Sequence, residues 1–284
     1  MAGTELSELR VEVDLIDRAI VDLLVERLAV VRRIKAIKGG DGRPAIRPAR
    51  EAVILRTLVA QAGEGFPKAP LVRIWRELLA ATTRAQGPFT VAAYIPAGMP
   101  ELWDVTRDHF GSLTPIARAD SSTQALRAVA DGRAQVAVLP LPDEQDLWWQ
   151  GLLAADDEAR PRIVARLPFA NAGQYPAAVG AVVLARLDQE PTGDDLTLLA
   201  IEAEGELSRS RLKDALDAQG LAPRWLAAVR AGDGRAAVHL LEVPGFVTEP
   251  DPHLVRALEP LRRLVLRVQP VGGYARPFSG AELA

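Results

Sequence analysis

Cysteine is absent from the 284 residues, which removes disulfides, thiolate metal ligands and cysteine nucleophiles together. Histidine is scarce: His109, His239 and His253 stand far apart and offer no metal-ligand spacing. No apolar run approaches the ~20 residues needed to span a bilayer. Residues 1–10 carry Glu5 and Glu8 and lack the apolar stretch of a signal peptide. The net charge is only −3, so no global field points to nucleic acid or to a membrane surface. Short repeats and low-complexity tracts are missing too. These absences lead us to expect a cytoplasmic protein.

What is present is unevenly spread. Residues 1–88 hold 15 Lys+Arg against 11 Asp+Glu, and the remainder holds 19 against 26. A mildly basic module on an acidic chain suits a small anionic ligand better than a polyanion. Leu6, Leu9, Val13, Ile16, Ile20, Leu23, Val30, Ile34 and Ile37 recur at alternating threes and fours, a heptad-like helical stripe. It runs from 6 to 38 without proline or glycine and stops at Gly39-Gly40. Such a helix is about 50 Å long and outruns what a small domain can cover, so helices of a second subunit are expected on it. A turn-rich loop over 39–48 follows. A second helix is predicted over 49–62 and a third over 70–86, with Leu71, Ile74, Trp75, Leu78 and Leu79 as its inner face.

After Pro88 strands and helices alternate. Strands are predicted at 89–94, 113–119 and 135–139, with helices at 101–110 and 122–131, which implies a parallel α/β sheet. Residues 141–160 are acidic and loop-rich, with Trp148-Trp149 in a short helix. Two more strands are expected at 162–167 and 180–187, and 190–194 is a linker candidate. The last part reads β-α-β-β-α-β: strands at 196–202, 224–229, 236–243 and 264–270, helices at 208–219 and 252–263. That order is the ferredoxin-like split βαβ arrangement. The expectation is thus a multidomain chain: an all-α three-helix dimer domain over 1–88, an α/β lobe over 89–193, and an α+β ferredoxin-like domain over 194–284.

The helical stripe is broken once, at Arg27, where the spacing calls for an apolar residue. An arginine on a core stripe is costly unless an anion meets it. Lys38 lies eleven residues on; at ~100° per residue it returns to nearly the same direction, roughly 16 Å along the axis. Arg10, seventeen residues before Arg27, is too distant to share that pocket, but in an antiparallel dimer it reaches the partner's. Arg50-Glu51 starts the second helix. Thr82 and Gln86, four apart on the third, set a hydroxyl and an amide beside the cations. Taken singly these residues have plainer readings: Arg27 snorkelling or paired with Glu26 or Glu51, Lys38 complementing a helix C-terminus, Thr82 and Gln86 packing. The joint set is what points to an anion site.

The segment Leu9-Arg10, Asp14, Ile16-Asp17, Leu23-Leu24, Glu26-Arg27, Ile34, Lys38, Arg50-Glu51 and Trp75-Arg76-Glu77 resembles the all-helical chorismate mutases, most closely those fused to prephenate dehydratase. The family pattern is an Arg, a second Arg seventeen later, a Lys eleven later and an Arg-Glu pair twelve later. Arg10, Arg27, Lys38 and Arg50-Glu51 match it. The resemblance implies a homodimer that rearranges chorismate to prephenate. Arg27 and Arg50, with Arg10 of the partner subunit, would bind the two carboxylates. Lys38 and Gln86 would contact the ether oxygen of the breaking bond, and Glu51 would accept the substrate hydroxyl. Thr82 stands where the family often has Ser, near a carboxylate. Arg47 departs from the pattern, since some members carry Asp there. This chemistry needs no nucleophile, metal or redox group. It needs a dianion held in its compact conformer and donors fixed on the ether oxygen in a dry site.

Residues 89–140 resemble the first lobe of prephenate dehydratase, through Val91-Ala92-Ala93-Tyr94, His109-Phe110-Gly111 and the run from Ala128 to Pro140. Residues 196–276 resemble the ACT domain that follows it, ending Val271-Gly272-Gly273-Tyr274-Ala275-Arg276. The signature residues are missing. No Thr-Arg-Phe occurs, Pro142-Asp143-Glu144 replaces Glu-Asn-Ser, and Gly205-Glu206-Leu207 replaces Gly-Ala-Leu. Residues 141–193 are too short for a complete second lobe. The reading is a mutase on a dehydratase scaffold that has lost its chemistry. The alternatives are a bifunctional mutase–dehydratase and a non-catalytic helical dimerisation module on a ligand-sensing protein.

Overall fold

The computed structural model describes residues 2–38, 45–153, 160–230 and 235–284, without the side chains of 2, 3 and 38. Three helices come first: α1 (Ala2–Lys38), α2 (Pro48–Ala62) and α3 (Lys68–Arg84). The 37 residues of α1 make a rod of about 55 Å. α2 starts with Pro48 in its first turn and Glu51 beside it, where a missing N–H costs nothing and a carboxylate meets the positive end of the helix.

Within this one chain the apolar stripe of α1 is left uncovered. Leu6, Leu9, Val13, Ile16, Ile20 and Leu23 are each about half exposed or more. Among the described residues of α1 only Arg27, Leu28 and Val31 are half-buried. The buried face of α3 also differs from expectation. Val72, Arg76, Leu79, Thr82 and Thr83 are buried, whereas Ile74 is 52% exposed. The reason is that α3 packs against both α2 and α4 (Leu102–Phe110), and the row facing them includes an arginine that composition alone assigns to the surface.

The rest is organised on one nine-stranded sheet. Its strands are β1 (Val91–Tyr94), β2 (Ile116–Ala119), β3 (Val136–Pro140), β4 (Arg162–Leu167), β5 (Ala181–Ala185), β6 (Asp195–Glu204), β7 (Arg224–Arg230), β8 (Ala236–Pro244) and β9 (Val265–Ala275). The order is β2-β1-β3-β5-β4-β9-β6-β8-β7. β2, β1 and β3 are mutually parallel, β5 runs antiparallel to both β3 and β4, and β4 pairs in parallel with β9. The parallel pairing expected of the first three strands is found, while β5, whose direction the sequence left open, runs against both its neighbours and makes the whole sheet mixed. α4 covers one face with Leu102, Val105 and Phe110. α5 (Ser122–Ala130), capped by Ser121, covers the other with Ala125 and Val129, joined by Trp148 and Trp149 from a 3₁₀ turn at Leu147–Leu152.

The last four strands with α6 (Arg209–Asp217) and α7 (Pro252–Leu258) form the expected split βαβ unit. It joins the lobe edge to edge through β4 and β9, where Ile163 faces Gly272. A Cβ on Gly272, at φ +132°, would lie 2.2 Å from the Ile163 carbonyl oxygen and 2.5 Å from its nitrogen. The stretch 190–194 is pinned: Arg56 of α2 donates to Thr192 Oγ1 at 3.0 Å and to the Asp194 and Arg276 carbonyls at 2.9 and 3.0 Å. At the far edge, Glu144 Oε1 accepts from the Ala228 N–H of β7 at 3.2 Å. No helix among the described residues is long and apolar enough to cross a membrane.

Gly272→Ala should force β4 and β9 apart and cost on the order of 3 kcal/mol through clash and backbone strain. Urea denaturation checks this; an unchanged midpoint would mean that the junction tolerates a side chain.

Candidate functional site

The site predicted from sequence is spread over α1, the start of α2 and the end of α3. Arg27 is half-buried on α1, and its Nη1 is enclosed without a hydrogen-bond partner. Burial lowers the pKa of this guanidinium below its usual value. The pairings with Glu26 or Glu51 weighed for it are not made. Eight residues further along α1, Lys35 donates to the Gln86 carbonyl oxygen at the end of α3, so this stretch of α1 is tied to the third helix. Gln86 is half-buried and its Nε2 donates to the Thr82 carbonyl at 3.1 Å. Thr82 is buried, and its hydroxyl lies 3.0 Å from both the Leu78 and Leu79 carbonyls of its own helix. The structure therefore brings α1, Thr82 and Gln86 to one end of α3.

Other members are placed differently. Arg10 and Arg50 are exposed. The side chain of Lys38 lies outside the described residues. Arg47 lines a cavity of about 20 Å³, room for a water, with Leu187, Gln189 and Tyr274 of the sheet. Among the described residues no group of three His, Cys, Asp or Glu side chains could hold a metal ion.

Glu51 is buried, and its partner is a residue to which the sequence assigned no role. Arg76 of α3 is 5% exposed and donates from Nη1 to Glu51 Oε2 at 2.9 Å. Burial lowers the Arg76 pKa, while the Glu51 carboxylate opposes that shift. The guanidinium carbon also sits 5.1 Å over the Phe169 ring, supplied by the segment after β4. The cost of burying a charge is offset here by one ion pair and one ring face. The signal available in the sequence was the spacing Val72, Arg76, Leu79, Thr83, which is a helical row. The arginine hid it, because charge is read as exposed by default. Beside Arg76 lies His109 of α4, also buried, whose pKa is pushed well below 6.5 by burial and by the Arg76 charge.

Residues 9–87 match the family described as chorismate mutase type II. A bifunctional chorismate mutase/prephenate dehydratase of Aquifex aeolicus is 39% identical over 92 residues, 31% of this chain and 25% of its own length. The enzyme of the same description from Pseudomonas aeruginosa is 27% identical over 150 residues, 50% of this chain and 40% of its own. The chain thus spans less than half the length of these curated relatives. A solved prephenate dehydratase from Streptococcus mutans covers 66% of this chain and 97% of its own, at 14% identity and a TM-score of 0.45. The family matched is the one that the spacing of Arg10, Arg27, Lys38 and Arg50-Glu51 resembles.

Arg76→Met should strand a carboxylate in the interior and cost about 3–5 kcal/mol, whereas exposed Arg50→Ala should stay within about 0.5 kcal/mol. Paired denaturation curves test the contrast. A second expectation concerns pH. His109 has a folded-state pKa below its unfolded value of 6.5, so the unfolded chain takes up the proton first. Stability held by the neutral ring is complete above 6.5 and is lost as pH falls below it. The decline of the unfolding midpoint between pH 6.5 and 5 should be shallower in His109→Phe than in the parent.

Proposed function

We propose that this chain is a homodimeric chorismate mutase that converts chorismate to prephenate in the cytoplasm. The observation that carries the reading is Arg27: an enclosed guanidinium nitrogen with no protein acceptor, on a helix whose sequence falls within the matched 9–87 segment. An unpartnered buried donor is costly, and an anionic substrate supplies the missing acceptor. The bare stripe of α1 supports the dimer. Its exposed leucines, isoleucines and valines form an apolar band along the rod, and contiguous apolar surface of this kind marks an interface. A second copy of α1 laid antiparallel would cover the band and carry Arg10 of the partner subunit toward Arg27.

In this reading Arg27, Arg50 and Arg10 of the partner subunit bind the substrate carboxylates. Lys38 and Gln86 stand at the ether oxygen. Glu51 has one oxygen engaged by Arg76 and the other free to accept the substrate hydroxyl. Thr82 must turn its hydroxyl hydrogen away from the Leu78 and Leu79 carbonyls to serve a carboxylate. Arg47, beside Tyr274, is left out of the set. Catalysis is then conformational restraint together with fixed donors on developing charge. The chain divides into the helical unit of 1–88, the lobe of 89–193 and the ACT-like unit of 194–284. The lobe lacks dehydratase chemistry, consistent with its missing Thr-Arg-Phe and its short 141–193 stretch.

Purified protein should consume chorismate and accumulate prephenate without forming phenylpyruvate. Arg27→Ala and Lys38→Ala should each lower kcat/KM by roughly 10²–10³-fold, the usual cost of losing one such donor. Both should remain dimeric by light scattering. Unchanged turnover in either variant would remove the mutase assignment.

A further inference from the structure

A second cavity, of about 300 Å³, lies outside the set of residues assigned to chorismate. It opens between α3, α4 and the segment after β4. Val72, Val105 and Phe169 give it apolar walls; Arg76, His109 and Tyr175 give it polar ones. Its size is at the lower end of the ~300–1,000 Å³ typical of small-molecule sites, and the mixture of apolar lining with a few fixed polar groups is their usual make-up.

The polarity left unspent in this cavity is of donor type. Asp108, the one carboxylate on its wall, is already satisfied by Arg73 at 2.6 Å and by the Tyr175 hydroxyl at 2.5 Å. Arg76 is not. A guanidinium carries five N–H donors, and among the described residues Glu51 is its sole hydrogen-bond acceptor. The rest of the group faces Phe169 and the cavity. Arg76 disfavours a cation in the cavity, while a planar anion matches the guanidinium fork.

We propose that this cavity is an effector site for a small carboxylate with an apolar body, the carboxylate on Arg76 and the body against Phe169 and Val105. The same guanidinium holds Glu51, so an occupant shares its charge with the carboxylate assigned to the substrate hydroxyl. Occupancy therefore alters chorismate binding; this half of the proposal rests on the mutase reading, and the site itself does not.

The test is calorimetric titration of the full chain with benzoate, using neutral benzamide and cationic benzylamine as matched controls. Benzoate should bind at least tenfold more tightly than either. Ala69→Trp, which fills the cavity from a half-buried position on its wall, should abolish benzoate binding. Arg27→Ala should leave it intact, separating this cavity from the substrate pocket. Benzoate should raise the KM for chorismate in the parent and have no effect in Ala69→Trp. Equal binding of benzylamine, absence of benzoate binding, or binding that survives Ala69→Trp overturns the site. Benzoate bound with KM and kcat unmoved overturns the coupling. If the chain consumes no chorismate at all, the mutase reading falls and the binding arm still decides the cavity.

Discussion

The buried contact between Arg76 and Glu51 is the constraint on which the arrangement of helices and sheet depends. It fixes α3 against the first turn of α2 from within, and Phe169 closes it from the sheet side. Three segments far apart in the chain thereby share one guanidinium. A charge placed this deeply is tolerated only while both its partners stay in register. The pair is better understood as a device that fixes geometry than as a source of net stability. Around it lie Ala52, Leu55, Val59 and Val72, with Ala275 and Leu283 from the end of the chain. The helical unit is thus seated on the sheet by a mixed core and does not merely hang from it.

The contrast with α1 is instructive. α2 and α3 bury a face within the chain; α1 buries almost none. Among its described residues, the half-buried ones are Arg27, Leu28 and Val31, close in sequence to Lys35, which reaches Gln86. A rod of this length with an apolar band cannot be explained by the chain that carries it. In the proposed dimer the helix would be one half of a structure whose other half is a copy of itself, with the unpaired Arg27 nitrogen between the two.

The elements were largely legible in the sequence because their periods are strong. The heptad stripe gave α1, and the order β-α-β-β-α-β gave the split βαβ unit. What escaped is information that periodicity does not carry. The direction of β5 depends on which neighbour it reaches. Gly272 can be read as part of a motif, but its physical role, clearance for the Ile163 backbone, requires knowing that β4 lies beside it. The inner face of α3 was misjudged because Ile74 is apolar and Arg76 is charged, and tertiary contact reversed both defaults. At the candidate site the sequence offered positions without their partners. Glu51 was expected to await a substrate and is held by Arg76, while Arg47 faces the sheet.

The two rims of the nine-stranded sheet have a consequence for how the molecule meets its own copies. One rim, β2, is only four residues long. The other, β7, has a backbone donor occupied by Glu144 and an arginine at either end. Short or charged rims of this kind resist templated stacking with a neighbouring chain. Crowding at high concentration is therefore guided away from the strand rims and toward apolar surface such as the band along α1.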